Sequence, residues 1–249
     1  GASYAVSDVT KSPATRNPAA PFTTSTLQQD ANAKLGFSSK STMAAAQKLY
    51  QDGKITYMRT DSVNLSPEAL ASMSSYIQRE FGKDYHHYRT FKTKSAGAQE
   101  AHEAIRPTDP SVEIASTDEY EQKLYNLIRT RTLASQMASA KLERTTAKIA
   151  ISPQPSALSP QPYFEAKGEV VLFPGFLKVY GASKKDAVIL PSLSSGDTLT
   201  LEQATAKQVF SRPPARYSEG SLVKKLEELG IGRPSTYATI ISTIQDRGY

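Results

Sequence analysis

Between about residues 25 and 142 the apolar positions recur at helical spacing, and beyond residue 142 the period shortens towards two. Thr26-Leu27-Gln28-Gln29 opens one helix, and Ser41 can cap a second over 42–51, with Met43, Ala46, Leu49 and Tyr50 on one face. Ser66-Pro67-Glu68 is a helix start with proline at the first helical position, followed by Leu70, Met73 and Ile77. The stretch 119–142, carrying Tyr120, Leu124, Leu127, Ile128 and Met137, reads as a long helix. After it Ala147, Ile149 and Ile151 alternate with Thr146, Lys148 and Ala150, the pattern of a half-buried strand. Strand-like runs follow at 163–166, 169–173, 176–179 and 198–201, separated by a Pro-rich loop at 152–162, by Pro174-Gly175 and by Ser195-Gly196-Asp197. Leu222, Val223, Leu226 and Leu229 return to helical spacing, and Pro234 opens a last helix over 235–246 before Gly248. Residues 5–24, rich in Pro, Ser, Thr and Ala, read as extended chain. A piece so short and polar cannot bury itself and is expected to pair with the later sheet. The fold class is α+β and multi-domain.

Composition narrows the function without naming it. A chain of 249 residues suffices for one large domain or two smaller ones. With 39% hydrophobic and 22% charged residues it is globular rather than disordered. A net charge of +6 favours polyanionic partners, although many basic proteins bind nothing acidic. The absence of Cys excludes disulfides, a cysteine nucleophile and cysteine-type zinc sites. No apolar run approaches the ~18–20 residues of a membrane span, so no membrane partner is expected. Gly1-Ala2-Ser3-Tyr4 has neither an initiating Met nor a signal-type apolar stretch and reads as the trimmed or processed end of a fragment.

Three segments hold candidate chemistry. Ile55-Thr56-Tyr57-Met58-Arg59-Thr60-Asp61-Ser62 suits a short strand, on which Tyr57 and Arg59 would share a face. A phenol, with a pKa near ~10, needs its oxyanion stabilised to act as a nucleophile. A neighbouring guanidinium can do that, or can grip a phosphate under attack. The more ordinary reading, and the one that spacing alone favours, is a half-exposed Tyr and a surface Arg on an edge strand. Gln99-Glu100-Ala101-His102-Glu103-Ala104-Ile105-Arg106-Pro107-Thr108 gathers a His, two carboxylates and an Arg. His102 could carry a proton or donate to a phosphate oxygen, yet a lone His is more often structural. Glu100 and His102 lack a third metal ligand in register. Gly230-Ile231-Gly232-Arg233-Pro234-Ser235-Thr236-Tyr237 stands where a helix begins, which can bind an anion, with Tyr237 available for base stacking. A purely structural helix hairpin fits the same residues equally well.

Together these segments resemble the type IA DNA topoisomerases. The tyrosine segment looks like the family's active-site motif, and the likeness continues through Pro21-Phe22-Thr23-Thr24-Ser25-Thr26-Leu27-Gln28-Gln29 and Lys34-Leu35-Gly36-Phe37. It recurs in the His102 segment, in Arg212-Pro213-Pro214-Ala215-Arg216-Tyr217-Ser218-Glu219 and from residue 230 to the end. Met58 resembles the bacterial topoisomerase I branch, where the topoisomerase III branch usually has Pro. The resemblance implies a helical domain carrying Tyr57 at 17–141 and a β-rich hinge at 142–212, to which an extended segment at 1–16 belongs. It also implies the start of a single-strand-DNA-binding domain at 213–249. By the same resemblance Tyr57 would attack a phosphodiester of single-stranded DNA and form a 5′-phosphotyrosine, relaxing negative supercoils. Arg59 would position the phosphate and His102 would assist. Arg106, Arg233, Ser235, Thr236 and Tyr237 would contact DNA.

What the chain lacks relative to that family also carries expectations. The family's Toprim domain supplies an acidic Mg²⁺ cluster, and this sequence contains no Asp-x-Asp. The expectation is a central piece of a cytoplasmic, nucleoid-associated, monomeric enzyme. It would bind no metal itself, would work with the remaining domains and would not relax DNA alone. The alternative is a single-strand-binding or hinge module whose tyrosine is idle.

Overall fold

The computed structural model describes residues 2–92, 102–153, 162–181 and 189–249. Gln99, Glu100 and Ala101 of the His102 segment and most of the loop at 152–162 lie outside the described residues. The chain divides into two compact units, Gly1–Asn17 with Ser139–Pro213, and Pro18–Ala138 with Pro214–Tyr249. No helix among the described residues is long and apolar enough to cross a membrane.

The first unit is a four-stranded antiparallel sheet built from β1 (Ser3–Arg16), β2 (Ala140–Ser152), β3 (Tyr163–Phe173) and β4 (Thr198–Leu199), in the order β3-β2-β1-β4. The polar N-terminal segment finds its partner here: β1 pairs with β2 from Ser3↔Ser152 to Arg16↔Ala140, with a bulge between Val6 and Asp8. Pro13 lies where β1, among the described residues, has a neighbour on one side only, a position that tolerates a missing N–H. Val6, Ala140, Leu142 and Ala147 are the buried side chains of this sheet. The runs at 163–166 and 169–173 merge into one strand through Gly168. The run at 176–179 is not a strand but part of a 3₁₀ turn, Gly175–Tyr180, in which Phe176 meets the ring of Tyr180 edge to face. The run at 198–201 shortens to the two residues of β4.

The second unit holds α1 (Thr24–Leu35), α2 (Ser39–Gln51), α3 (Pro67–Phe81), α4 (Glu119–Ser135), α5 (Glu219–Glu228) and α6 (Tyr237–Asp246). Side-chain caps fix the starts of the first four: Thr23 caps α1, Ser38 α2, Ser66 α3 and Asp118 α4. Phe22, Leu27, Leu49, Ile55, Met58, Ile105, Leu124 and Ile128 form one buried cluster. The helix expected over 119–142 stops at Ser135. Beyond it the Gln136 carbonyl accepts from the N–H of His87 at 3.0 Å and the Ala138 N–H donates to Tyr85 at 2.7 Å. The Gln136 side chain exchanges hydrogen bonds with the backbone of Arg89. These lateral bonds replace the helical ladder. Residues 214–249 also belong to this unit.

Candidate nucleic-acid cleavage site

The tyrosine segment is not a strand. Only Ile55 makes a bridge, to Pro107, and the rest of the segment is held by side-chain bonds and by single backbone bonds from Thr56 N–H to Arg106 and from Thr24 N–H to Thr60. Thr56 accepts from the N–H of Arg106 at 2.9 Å and donates to the carbonyl of Ala104 at 2.7 Å. Thr24, the first residue of α1, bonds to the backbone of Met58 and Thr60. Met58 is buried in the core, 1% exposed, and thereby turns its two neighbours outward. Tyr57 is 38% exposed and Arg59 is exposed. The ring of Tyr57 meets Tyr50 edge to face at 5.3 Å, and the His102 ring lies 6.1 Å from it on the other chain segment.

The His102 segment is stitched to its neighbours through backbone: Ala104 N–H to Asn64, Ile105 N–H to Phe22 and Thr56 N–H to Arg106. That stitching brings His102 beside Tyr57. Arg106 takes a different course from the one expected. Its guanidinium is only 14% exposed, pairs with Glu103 at 2.7 Å and donates to the carbonyl of Pro107 at 3.1 Å. It does not line the cleft described below.

The α5–α6 hairpin brings the third segment to the same place. Glu227 accepts from the buried Ser25 hydroxyl at 2.8 Å, and Glu219 accepts from the backbone of Ser39 at 2.6 Å. Gly220 N–H donates to the side chain of Asn32, and a Cβ at residue 220 would come within 3.2 Å of the α1 backbone at Gln29. Glycine allows α5 to seat on α1. The final helix begins at Tyr237, two residues later than expected. The Thr236 hydroxyl is spent in the turn, accepting from Arg233 N–H at 2.8 Å and bonding back to the Arg233 carbonyl. Thr236 does not line the cleft. Tyr237, read from the sequence as a ring for base stacking, is 5% exposed and packs with Val223, Leu226 and Ile241. Burial, and then the Glu227 and Asp61 carboxylates against the opposing Arg233, push the Tyr237 phenol above its usual pKa and keep it protonated.

Tyr57, Arg59, His102, Arg233, Ser235 and the Tyr237 edge line one cleft of about 770 Å³. The Tyr57 hydroxyl, the Arg59 guanidinium and the His102 imidazole have no hydrogen-bond or ion-pair partner among the described residues. The Arg233 guanidinium forms no ion pair there either and bonds only to the carbonyls of its own turn, Gly232 at 2.7 Å and Gly230 at 3.4 Å. Guanidinium groups without ion pairs that share a cleft with a phenol can bind a phosphodiester there. Asp61, Glu227 and Glu228 also face the cleft and were not singled out by the sequence. Asp61 stands within the tyrosine segment and was readable there, whereas Glu227 is one acid on a charged helix and carries no local signal.

Residues 1–249 match the family model for DNA topoisomerase over their whole length. The prokaryotic-type DNA topoisomerase 1 of Acanthamoeba polyphaga mimivirus is 50% identical over 248 residues, covering 94% of this chain and 29% of the relative. DNA topoisomerase 1 of Salmonella typhimurium is 47% identical over 255 residues, covering 100% and 28%. The structure of full-length topoisomerase I from Thermotoga maritima superposes with a TM-score of 0.79 at 35% identity, covering 99% of this chain and 41% of that one. The chain thus spans less than a third of the length of these two curated relatives. A match from the first residue to the last, together with relatives of this kind, establishes that the chain belongs to the DNA topoisomerase family, as a type IA member akin to bacterial topoisomerase I.

Proposed function

We propose that this chain carries the nucleophile of a type IA topoisomerase, which cleaves one strand of negatively supercoiled DNA in single-stranded form and rejoins it. The Tyr57 oxygen attacks phosphorus, the bond to the 3′-oxygen breaks, and the DNA 5′-end is left as a phosphotyrosine. The phenol loses its proton to base or solvent and the departing 3′-oxygen takes one up. The same 3′-hydroxyl reverses the reaction. Arg59 holds two phosphate oxygens and offsets the charge that gathers on them in the transition state. His102 donates to the same phosphate, and Arg233 with Ser235 holds the strand next to it. The observation that supports this reading most is the convergence of Tyr57, Arg59 and His102, polar groups unpartnered among the described residues, on a single cleft.

Among the described residues no three His, Asp or Glu side chains cluster to hold a metal ion. The Mg²⁺ expected for the intact enzyme does not fit this donor set. We place its binding, and with it the capacity for relaxation, in other parts of the enzyme.

The test is an oligonucleotide labelled at its 3′-end, incubated with the intact enzyme and Mg²⁺ and quenched in detergent. Attack as written transfers the label to the protein, on the peptide containing Tyr57. Label that stays with free DNA would leave the chain as a single-strand-binding or hinge module.

A further inference from the structure

We propose that Thr24 is a positioning residue for strand cleavage, its hydroxyl setting the direction in which Arg59 leaves the backbone. The proposal rests on the reading of Tyr57 and Arg59 as the cleavage pair. Thr24 is fully buried, 0% exposed, at the first turn of α1. Its Oγ1 donates to the carbonyl of Met58 at 2.7 Å and accepts from the N–H of Thr60 at 2.9 Å. The carbonyl of Thr60, 3.1 Å from the same hydroxyl, is already served by the Thr24 backbone N–H at 2.9 Å.

The Met58 carbonyl and the Thr60 N–H belong to the two peptide planes that meet at the Arg59 Cα. Each plane is rigid, so their mutual orientation is the φ and ψ of residue 59 and nothing else. One hydroxyl bonded to both planes closes a ring around that Cα and fixes its Cα–Cβ direction. Met58 and Thr60 are 1% and 3% exposed, so solvent does not take over the two bonds. Arg59 has no polar partner among the described residues, and its aim depends on its backbone. A reacting group displaced by about 1 Å can cost on the order of 100-fold in rate.

Thr24→Val keeps the shape of the side chain and removes the hydroxyl. In single-turnover cleavage by the intact enzyme, it should slow the step by about 10- to 100-fold while non-covalent binding of the oligonucleotide stays within about 3-fold. Thr24→Ser should restore the rate. In an Arg59→Ala background, Thr24→Val should cost nothing further, because residues that act through one another are not additive. Full activity in Thr24→Val, or the same loss with and without Arg59, would overturn the proposal. If the Val variant does not fold, Thr24→Ser against Thr24→Ala isolates the hydroxyl: a slower Ala variant supports the positioning role, and equal rates overturn it. Adduct formation by Tyr57→Phe would instead overturn the reading of Tyr57, a result the Thr24 comparison cannot produce.

Discussion

The guanidinium of Arg106 holds both oxygens of the Glu103 carboxylate, Nη2 to Oε2 at 2.7 Å and Nε to Oε1 at 3.3 Å, and Oε1 also accepts from the backbone N–H of Ser66 at 2.5 Å. Ser66 caps α3, so this ion pair fastens the start of that helix to the segment that carries His102. Partial burial raises the Glu103 pKa, but the hydrogen bonds from Arg106 and Ser66 outweigh it and hold the carboxyl below its ordinary value of 4.5. A carboxyl with a depressed folded pKa stabilises the fold above its unfolded value and loses that contribution as pH falls through the folded one. Melting temperature against pH should therefore drop less steeply below pH 4.5 in Glu103→Gln than in the parent. Identical acid limbs would show that the pair contributes nothing.

Arg106→Ala should cost about 1.5–3 kcal/mol of stability, the range for hydrogen bonds to a charged group. It should leave the salt dependence of single-stranded DNA binding unchanged. A shallower slope, by about 0.7 in log K against log salt, would return Arg106 to the DNA-contacting set.

Arg59→Ala and His102→Ala should each slow cleavage, and the double variant should lose less than the two losses combined. Both side chains line one cleft with Tyr57, and the proposed reaction has them act on one phosphate. Strict additivity in single-turnover rates would assign them to separate steps.

Arg233→Ala should remove about one phosphate contact, reducing the salt slope by roughly 0.7. Tyr237→Phe should bind DNA as the parent does, because the ring is core. Tyr237→Ala should destabilise the α5–α6 hairpin by about 3 kcal/mol, as emptied aromatic sites do. Weakened binding in Tyr237→Phe, with the hairpin intact by thermal melting, would mean that the phenol itself touches DNA.

Much of this was legible in the residues, and what was not has identifiable causes. Ser66-Pro67 announced α3 because a hydroxyl cap and a first-position proline act locally. Ile55 to Arg59 looked like a strand because its residue types favour one, yet its bonds go to the side chain of Thr24 and to the backbone of Ala104 and Arg106, contacts distant in sequence. Met137 and Leu142 extend the helical spacing of α4, and only the lateral bonds from His87, Arg89 and Tyr85 reveal that the helix ends. Tyr57, Arg59, His102, Arg233 and Ser235 of the cleft were found through motifs, whereas Glu227 was not. The roles of Arg106 and Tyr237 depend on burial, which local spacing does not encode.

The central claim is that Tyr57 supplies the attacking oxygen. Tyr57→Phe keeps the ring against Tyr50 and His102 and removes that oxygen alone. In the intact enzyme with 3′-labelled single-stranded DNA and Mg²⁺, this variant is expected to form no covalent adduct while binding the DNA within a few-fold of the parent. Covalent label on the Phe variant would contradict the account and move the nucleophile to another side chain.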